Sequence, residues 1–276
     1  MKILITGSNG MLAYALKKTL GPQNKLILTD IHNMDITKTK AVSDFFAKAK
    51  PKIVIHTAAY TDVDGAETNK LLAFKINRDG TRNVARAAKK LDIPIVYIST
   101  DYVFAGGKKN PYSETDRPNP LSVYGASKLA GEKEASKNPK HYIVRSAWLY
   151  GPNGKNFVLT ILRLADELPE LSIVNDQKGC PTYTFDLAQG IAKLIKTQKF
   201  GTYHLTNSGS CTWYQFAKEI LKIKKIPKKI IPITTKELNR PAKRPKYSVL
   251  SNKKIKKINI NLSPWQKALA DFLKII

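Results

Sequence analysis

Tyr124 and Lys128 stand four residues apart in the run Tyr124-Gly125-Ala126-Ser127-Lys128. On a helix that spacing puts both side chains on one face, with an ammonium beside a phenol. A free phenol titrates near about pH 10, so alone it shuttles protons poorly at neutrality. A neighbouring cation favours the phenolate, and lowering the pKa by about 3 units takes roughly 4 kcal/mol. One desolvated ammonium with hydrogen bonds can supply that. Such a pair serves proton delivery to a carbonyl oxygen while hydride reaches the carbonyl carbon. Thr100 lies 24 residues earlier, closing the apolar run Ile95-Val96-Tyr97-Ile98-Ser99-Thr100, where its hydroxyl can orient that oxygen.

Many helices carry a Tyr and a Lys at this spacing by chance, so the pair gains meaning from what precedes it. Gly7-x-x-Gly10-x-x-Ala13 directly follows a short apolar run and opens a helical one, the context of a dinucleotide-binding turn. Gly7 permits the tight turn, Gly10 lets the backbone approach a pyrophosphate, and Ala13 lets helix and strand pack closely. Asn9, Met11 and Leu12 complete the turn, where a helix N-terminus offers free N–H groups to phosphates. A glycine-rich turn without a ligand is the bland alternative. Asp30 ends the next strand, about 20 residues on, where a carboxylate can bond a ribose 2′-hydroxyl. That favours NADH, while the many nearby lysines leave NADPH open. Asp35 and Ile36 follow in a loop that either reaches the adenine or is capped by the aspartate. Ala58, Ala59 and Tyr60 close another strand with small residues, and with Ser99 they are expected beside the cofactor. Lys128 would also hold a nicotinamide-ribose hydroxyl.

These groups need a scaffold, and the hydrophobic pattern supplies one. Short buried-type runs at Lys2–Thr6, Lys25–Thr29, 53–55, 95–98 and 141–145 alternate with helical segments at Met11–Leu20, 42–50 and 71–91. Helices end at Gly21-Pro22 and at Pro51. Such alternation predicts βαβ units and a doubly wound parallel sheet of the α/β class, Rossmann-like. Residues 106–120 form a loop ahead of the Tyr124 helix. Segments 175–184 and 238–250 look like binding loops. The expected division is a cofactor domain over residues 1–149 and a smaller, mostly substrate-binding lobe over 150–276. Segments near 183–200 and 230–250 are candidates to return to the first domain.

The 276 residues can bury a substantial core. Met1-Lys2 leads straight into the first strand and no apolar run has the length of a membrane span, so a cytoplasmic protein is expected. Two cysteines, Cys180 and Cys211, suit a reducing compartment, and no metal-ligand spacing is present. The net charge of +26 is concentrated at the end: residues 218–276 hold 15 Lys and 2 Arg against 3 acids. Without interleaved aromatic residues this reads as a solvated lysine surface rather than a nucleic-acid face.

Taken together the motifs resemble the extended short-chain dehydrogenase/reductase superfamily, and more narrowly the dTDP-4-dehydrorhamnose reductase family. The resemblance runs through His56-Thr57-Ala58-Ala59-Tyr60-Thr61-Asp62-Val63-Asp64, Ile98-Ser99-Thr100-Asp101-Tyr102-Val103-Phe104, Arg145-Ser146-Ala147-Trp148-Leu149-Tyr150-Gly151, Asn156-Phe157, Gly201-Thr202-Tyr203-His204 and Arg244-Pro245. It implies reduction of the 4-keto group of dTDP-6-deoxy-L-lyxo-4-hexulose to dTDP-L-rhamnose by NADPH or NADH. It assigns Thr100, Tyr124 and Lys128 as the catalytic trio and puts Thr61, Val63, Trp148 and Asn156 near the nucleotide-sugar. Trp148 and Phe157 also suit a hinge or core. Gln177 and Arg244 face sugar or diphosphate, or cap loops. The resemblance leaves a homodimer open; some members are magnesium-linked, but no acidic ligand set maps onto this chain. Other readings stay open. An epimerase or 4,6-dehydratase is one, although the dehydratases' Asp-Glu pair is here Asp101-Tyr102. A non-catalytic cofactor-binding subunit, like the regulatory subunit of methionine adenosyltransferase, is another.

Overall fold

A computed structural model describes all residues, Met1–Ile276. Its centre is a six-stranded sheet built from β1 (Lys2–Thr6), β2 (Lys25–Thr29), β3 (Ile53–His56), β4 (Ile95–Thr100), β5 (His141–Ser146) and β6 (Gly201–His204). The order is β6-β5-β4-β3-β1-β2, and every pairing is parallel. The chain runs outward from β1 to β2, then crosses to β3 on the other side of β1. In open α/β sheets, ligands bind outside the carboxyl ends of strands at such a reversal.

The strands are buried on both faces because helices cover both. Ile3, Ile5, Ile53, Ile55, Val96 and Val144 meet Leu12 and Leu16 of α1 (Met11–Leu20), and Leu187, Ile191 and Leu194 of a helix at Thr184–Leu194. Alternate strand residues Leu4, Val54 and Ile95 meet Val42 and Phe46 of α2 (Thr39–Ala49), and Val84 and Ala88 of α3 (Thr81–Lys90). Each large aliphatic side chain so buried contributes roughly 1.5–3 kcal/mol. The switch of facing residues from one strand position to the next is the period-2 geometry of a pleated strand.

Three expected elements differ in detail. The helix expected over 42–50 begins earlier, at Thr39, and stops when Lys50 turns left-handed at φ 44°. Strand β4 runs beyond 98 to include Ser99 and Thr100. The single helix expected over 71–91 is a helical run of three parts: Lys70–Phe74, a π-helical turn Lys75–Gly80, then α3.

The later helices are α4 (Val123–Ala135), α5 (Phe157–Glu167), α6 (Thr184–Leu194, the helix against α1), α7 (Trp213–Ile223) and α8 (Trp265–Leu273). Three of them build a second core. Helices α5, α7 and α8 enclose Tyr150, Ile161, Phe216, Leu269 and Phe272. Short parallel pairs join Glu170–Val174 to Lys229–Ile233, and Leu149–Tyr150 to Thr182–Tyr183. The segment expected as a loop at 175–184 therefore contains paired pieces, including Lys178–Gly179 against Cys211–Thr212. Both cysteines are buried and free. No three His, Cys, Asp or Glu side chains lie where they could hold a metal ion. No helix is long and apolar enough to cross a membrane.

Candidate active site

The first wall of the site is the turn between β1 and α1. Gly7 has φ 65°, and a Cβ there would lie 2.7 Å from the backbone of Ala58. Only glycine lets the turn nest against β3 in this way. Gly10 caps α1 with extended backbone; no side chain caps the helix and its first turn holds no acid. The N–H groups of Met11, Leu12 and Ala13 are thus left for an anion. Asn9 donates from Nδ2 to Asp30 Oδ2 over 2.9 Å, and Asp30 Oδ1 accepts the His32 N–H, also at 2.9 Å. The His32 bond, joined by those from Asn9 and Asn33, holds the Asp30 carboxyl below its usual range against the opposing effect of burial. It stands ionised beside the turn, as a ribose-binding acid requires.

Strand β4 and helix α4 make the second wall. Thr100 Oγ1 caps the turn Asp101–Val103, accepting from Tyr102 N at 3.1 Å, and donates to Asp101 Oδ1 at 3.1 Å. Ser122 caps α4 through its Oγ and the Gly125 N–H, fixing the register that places Tyr124 and Lys128 inward. Both residues, with Ser99 and Thr100, line one cleft of about 470 Å³ that also reaches Gly10, Met11, Leu12, Ala13, Ala59, Thr61, Val63 and Trp148.

Burial governs the ionisation of this pair. It pushes the Tyr124 phenol up to about 12, with a Thr100 hydrogen bond opposing and the Asp101 charge adding. It pulls Lys128 down to about 7, with Glu132 opposing. Burial dominates, so the phenol stands above its ordinary value where the sequence led us to expect it below. Lys128 Nζ lies 4.3 Å from the centroid of the Tyr97 ring, a cation over a π face. Beneath them Glu132 is buried with Arg145, which donates from Nε at 2.8 Å and Nη2 at 2.7 Å. Ser99 Oγ donates to the same carboxylate at 2.5 Å.

Several expected site residues lie outside the cleft. Asp35 takes the capping alternative, its Oδ1 accepting from Thr37 N and Oγ1. Ile36 is buried in the core against Gly80. Ala58 backs Gly7 and donates to Thr6 Oγ1. Both backbone groups of Tyr60 are held by the Asn77 amide, at 2.8 and 3.1 Å. Asn156 caps α5 through Leu159 N and ties the loop before it through Gly151 O. Gln177 and Arg244 also fasten loops: Gln177 bonds Trp213 and Thr235, and Arg244 forks onto Asp64 at 3.0 and 2.9 Å.

The chain matches the RmlD substrate binding domain family over residues 1–276. It belongs to that family. A dTDP-4-dehydrorhamnose reductase of Sinorhizobium fredii is 38% identical over 97% of this chain and 95% of that protein. The crystal structure of a dTDP-4-dehydrorhamnose reductase from Clostridium acetobutylicum is 46% identical, with TM-score 0.97 over 100% of this chain and 99% of that one. That of the Bacillus anthracis reductase, solved in complex with NADP, is 41% identical with the same TM-score and coverage.

Within this RmlD-family cleft two lining residues had drawn no notice in the sequence. Lys155 is an exposed cation on the loop after Gly151, and Trp213 opens α7. A lone lysine in a lysine-rich chain carries no signal. Trp213 gave none because its neighbours come from other segments.

Proposed function

We propose that this chain is a nucleotide-sugar 4-ketoreductase that converts dTDP-6-deoxy-L-lyxo-4-hexulose to dTDP-L-rhamnose with NADPH or NADH. The observation that carries this reading is the meeting of Thr100, Tyr124 and Lys128 in one cleft beside the uncapped N-terminus of α1. The cofactor fits the residues present: a glycine-made approach at Gly7 and Gly10, free N–H groups at Met11 to Ala13, and the Asp30 carboxylate at the ribose position. When bound, the reduced nicotinamide supplies the hydride.

The chain's own residues supply the proton and the alignment. Tyr124, held protonated by burial, is the general acid whose Oη proton passes to the developing alkoxide of the sugar. Thr100 presents its hydroxyl to the same oxygen, turning from Asp101 Oδ1 to do so. Lys128 offers Nζ to a ribose hydroxyl and stabilises the phenolate left after transfer. Thr61, Val63 and Trp148 line the sugar side, and Lys155 is the free cation for a diphosphate. The parallel sheet and its helices hold the cofactor, and the segments gathered around α5, α7 and α8 hold the nucleotide-sugar.

The test is product analysis by NMR after incubation with NADPH or NADH and dTDP- or UDP-linked 4-keto-6-deoxyhexuloses. One dTDP-L-rhamnose per cofactor oxidised is expected. Cofactor binding with an unchanged keto sugar would instead identify a catalytically silent subunit, and net epimerisation or elimination would identify another class of sugar enzyme.

A further inference from the structure

Two tryptophans lie face to face where the cleft meets the second core. Trp148 and Trp213 have ring centroids 3.4 Å apart and planes 5° from parallel, and both line the cleft while remaining half-buried. Trp148 holds this place with φ 49°, a left-handed conformation that a bulky residue adopts only where its surroundings over-determine it. Gly179 is one constraint, because a Cβ there would sit 2.5 Å from the Trp148 ring. Trp213 is the other, and it is well anchored. Its Nε1 donates to Gln177 Oε1 at 3.1 Å, Gln177 Nε2 donates to Thr235 Oγ1 at 3.0 Å, and Thr235 Oγ1 donates to Asp176 Oδ1 at 2.6 Å. Phe157 packs on it at 4.5 Å. A capping box at Thr212 and Gln215 fixes the helix start that carries it.

We propose that Trp213 is a positioning residue for the keto sugar. By clamping the Trp148 indole it makes a rigid aromatic wall that sets the sugar ring against Thr100 and Tyr124. An unsupported indole would swing about its side-chain bonds and leave the ring free to shift, and small misplacements of a reacting carbonyl are costly in rate. Aromatic pairs that serve only a core have no reason to remain half-exposed on a cleft; this one ends on the space a ligand must enter. The inference rests on the reductase reading.

Stacked indoles couple excitonically, so the wild-type protein should show a tryptophan couplet in circular dichroism that changes when the dTDP-linked sugar binds. Trp213→Leu should abolish the couplet, raise KM for the keto sugar about ten-fold and leave the dissociation constant for NADPH unchanged. Trp213→Phe, which keeps a ring in the stack, should recover most of the lost kcat/KM. Should Trp213→Leu fail to fold, Gly179→Ala displaces Trp148 by a direct clash with its ring and should raise the same KM. A folded Trp213→Leu or Gly179→Ala protein with unaltered KM and kcat would overturn the proposal, as would a wild-type protein lacking the couplet. A wild-type protein whose couplet responds to the sugar but which leaves the ketone intact would refute the reductase reading while retaining the role of Trp213 in sugar placement.

Discussion

With the Tyr124 phenol pushed up to about 12 and Lys128 drawn down to about 7, the acid we propose keeps its proton throughout the neutral range. Removing that proton source tests the assignment directly. Tyr124→Phe is expected to lower kcat by about 10²–10⁴-fold with NADPH affinity unchanged, read by single-turnover oxidation and fluorescence titration. Retention of near-wild-type turnover would exclude Tyr124 as the acid. Gly7, Gly10, Thr100, Tyr124 and Lys128 were legible in the sequence because a tight turn, a strand end and a one-turn helical spacing are local geometry. The direction of the phenol's pKa was not. It depends on burial contributed by residues from many separate segments, and the Lys128 side chain rests on Tyr97 of a neighbouring strand.

At the scale of elements, the π-helical turn Lys75–Gly80 is the part that local patterning missed. One wide turn is too short to erase the helical pattern on either side of it, so 71–91 read as one regular helix, yet it presents Asn77 to the segment entering the site. Asn77 binds Tyr60 N and O and donates to Ser127 Oγ at 2.9 Å, just before Lys128. Such turns often accompany functional sites. Asn77→Ala removes all three bonds and should cost roughly 2–3 kcal/mol, seen as a lower urea midpoint. An unchanged midpoint would show that the amide contributes nothing to holding residues 60–63. Strand β6 escaped notice for another reason: four residues beginning with glycine carry little pattern until they add to the exposed edge of β5.

For the whole molecule, two buried histidines set a response to acid. His56 sits between Thr6 and Thr81 hydroxyls and is pushed down to about 3 by burial and by the Lys128 charge. His204 is likewise near 3, from burial and Arg145. The unfolded chain takes up both protons as pH falls below about 6.5 while the folded chain does not, so stability declines. Asp101 acts in the opposite sense: burial lifts it to about 6, so the folded form gains its proton first. One proton's difference remains between about pH 6 and pH 4, a loss of about 1.4 kcal/mol per pH unit. Urea midpoints across that interval should fall steadily, and a flat profile would show that the histidines are protonated in the folded protein.

The polypeptide passes five times between the core beneath α1 and the core around Phe216 and Phe272, leaving β5 for Tyr150, returning for α6 and β6, departing for α7, returning at Ile255, and departing again for α8. Neither half is a contiguous stretch, so no single truncation isolates one as an autonomous module. Recombination between relatives would have to exchange several interleaved segments at once to transplant a sugar specificity. Opening of the two halves must likewise bend many connections together, which favours a catalytic crevice whose walls are set at synthesis and vary little from one turnover to the next.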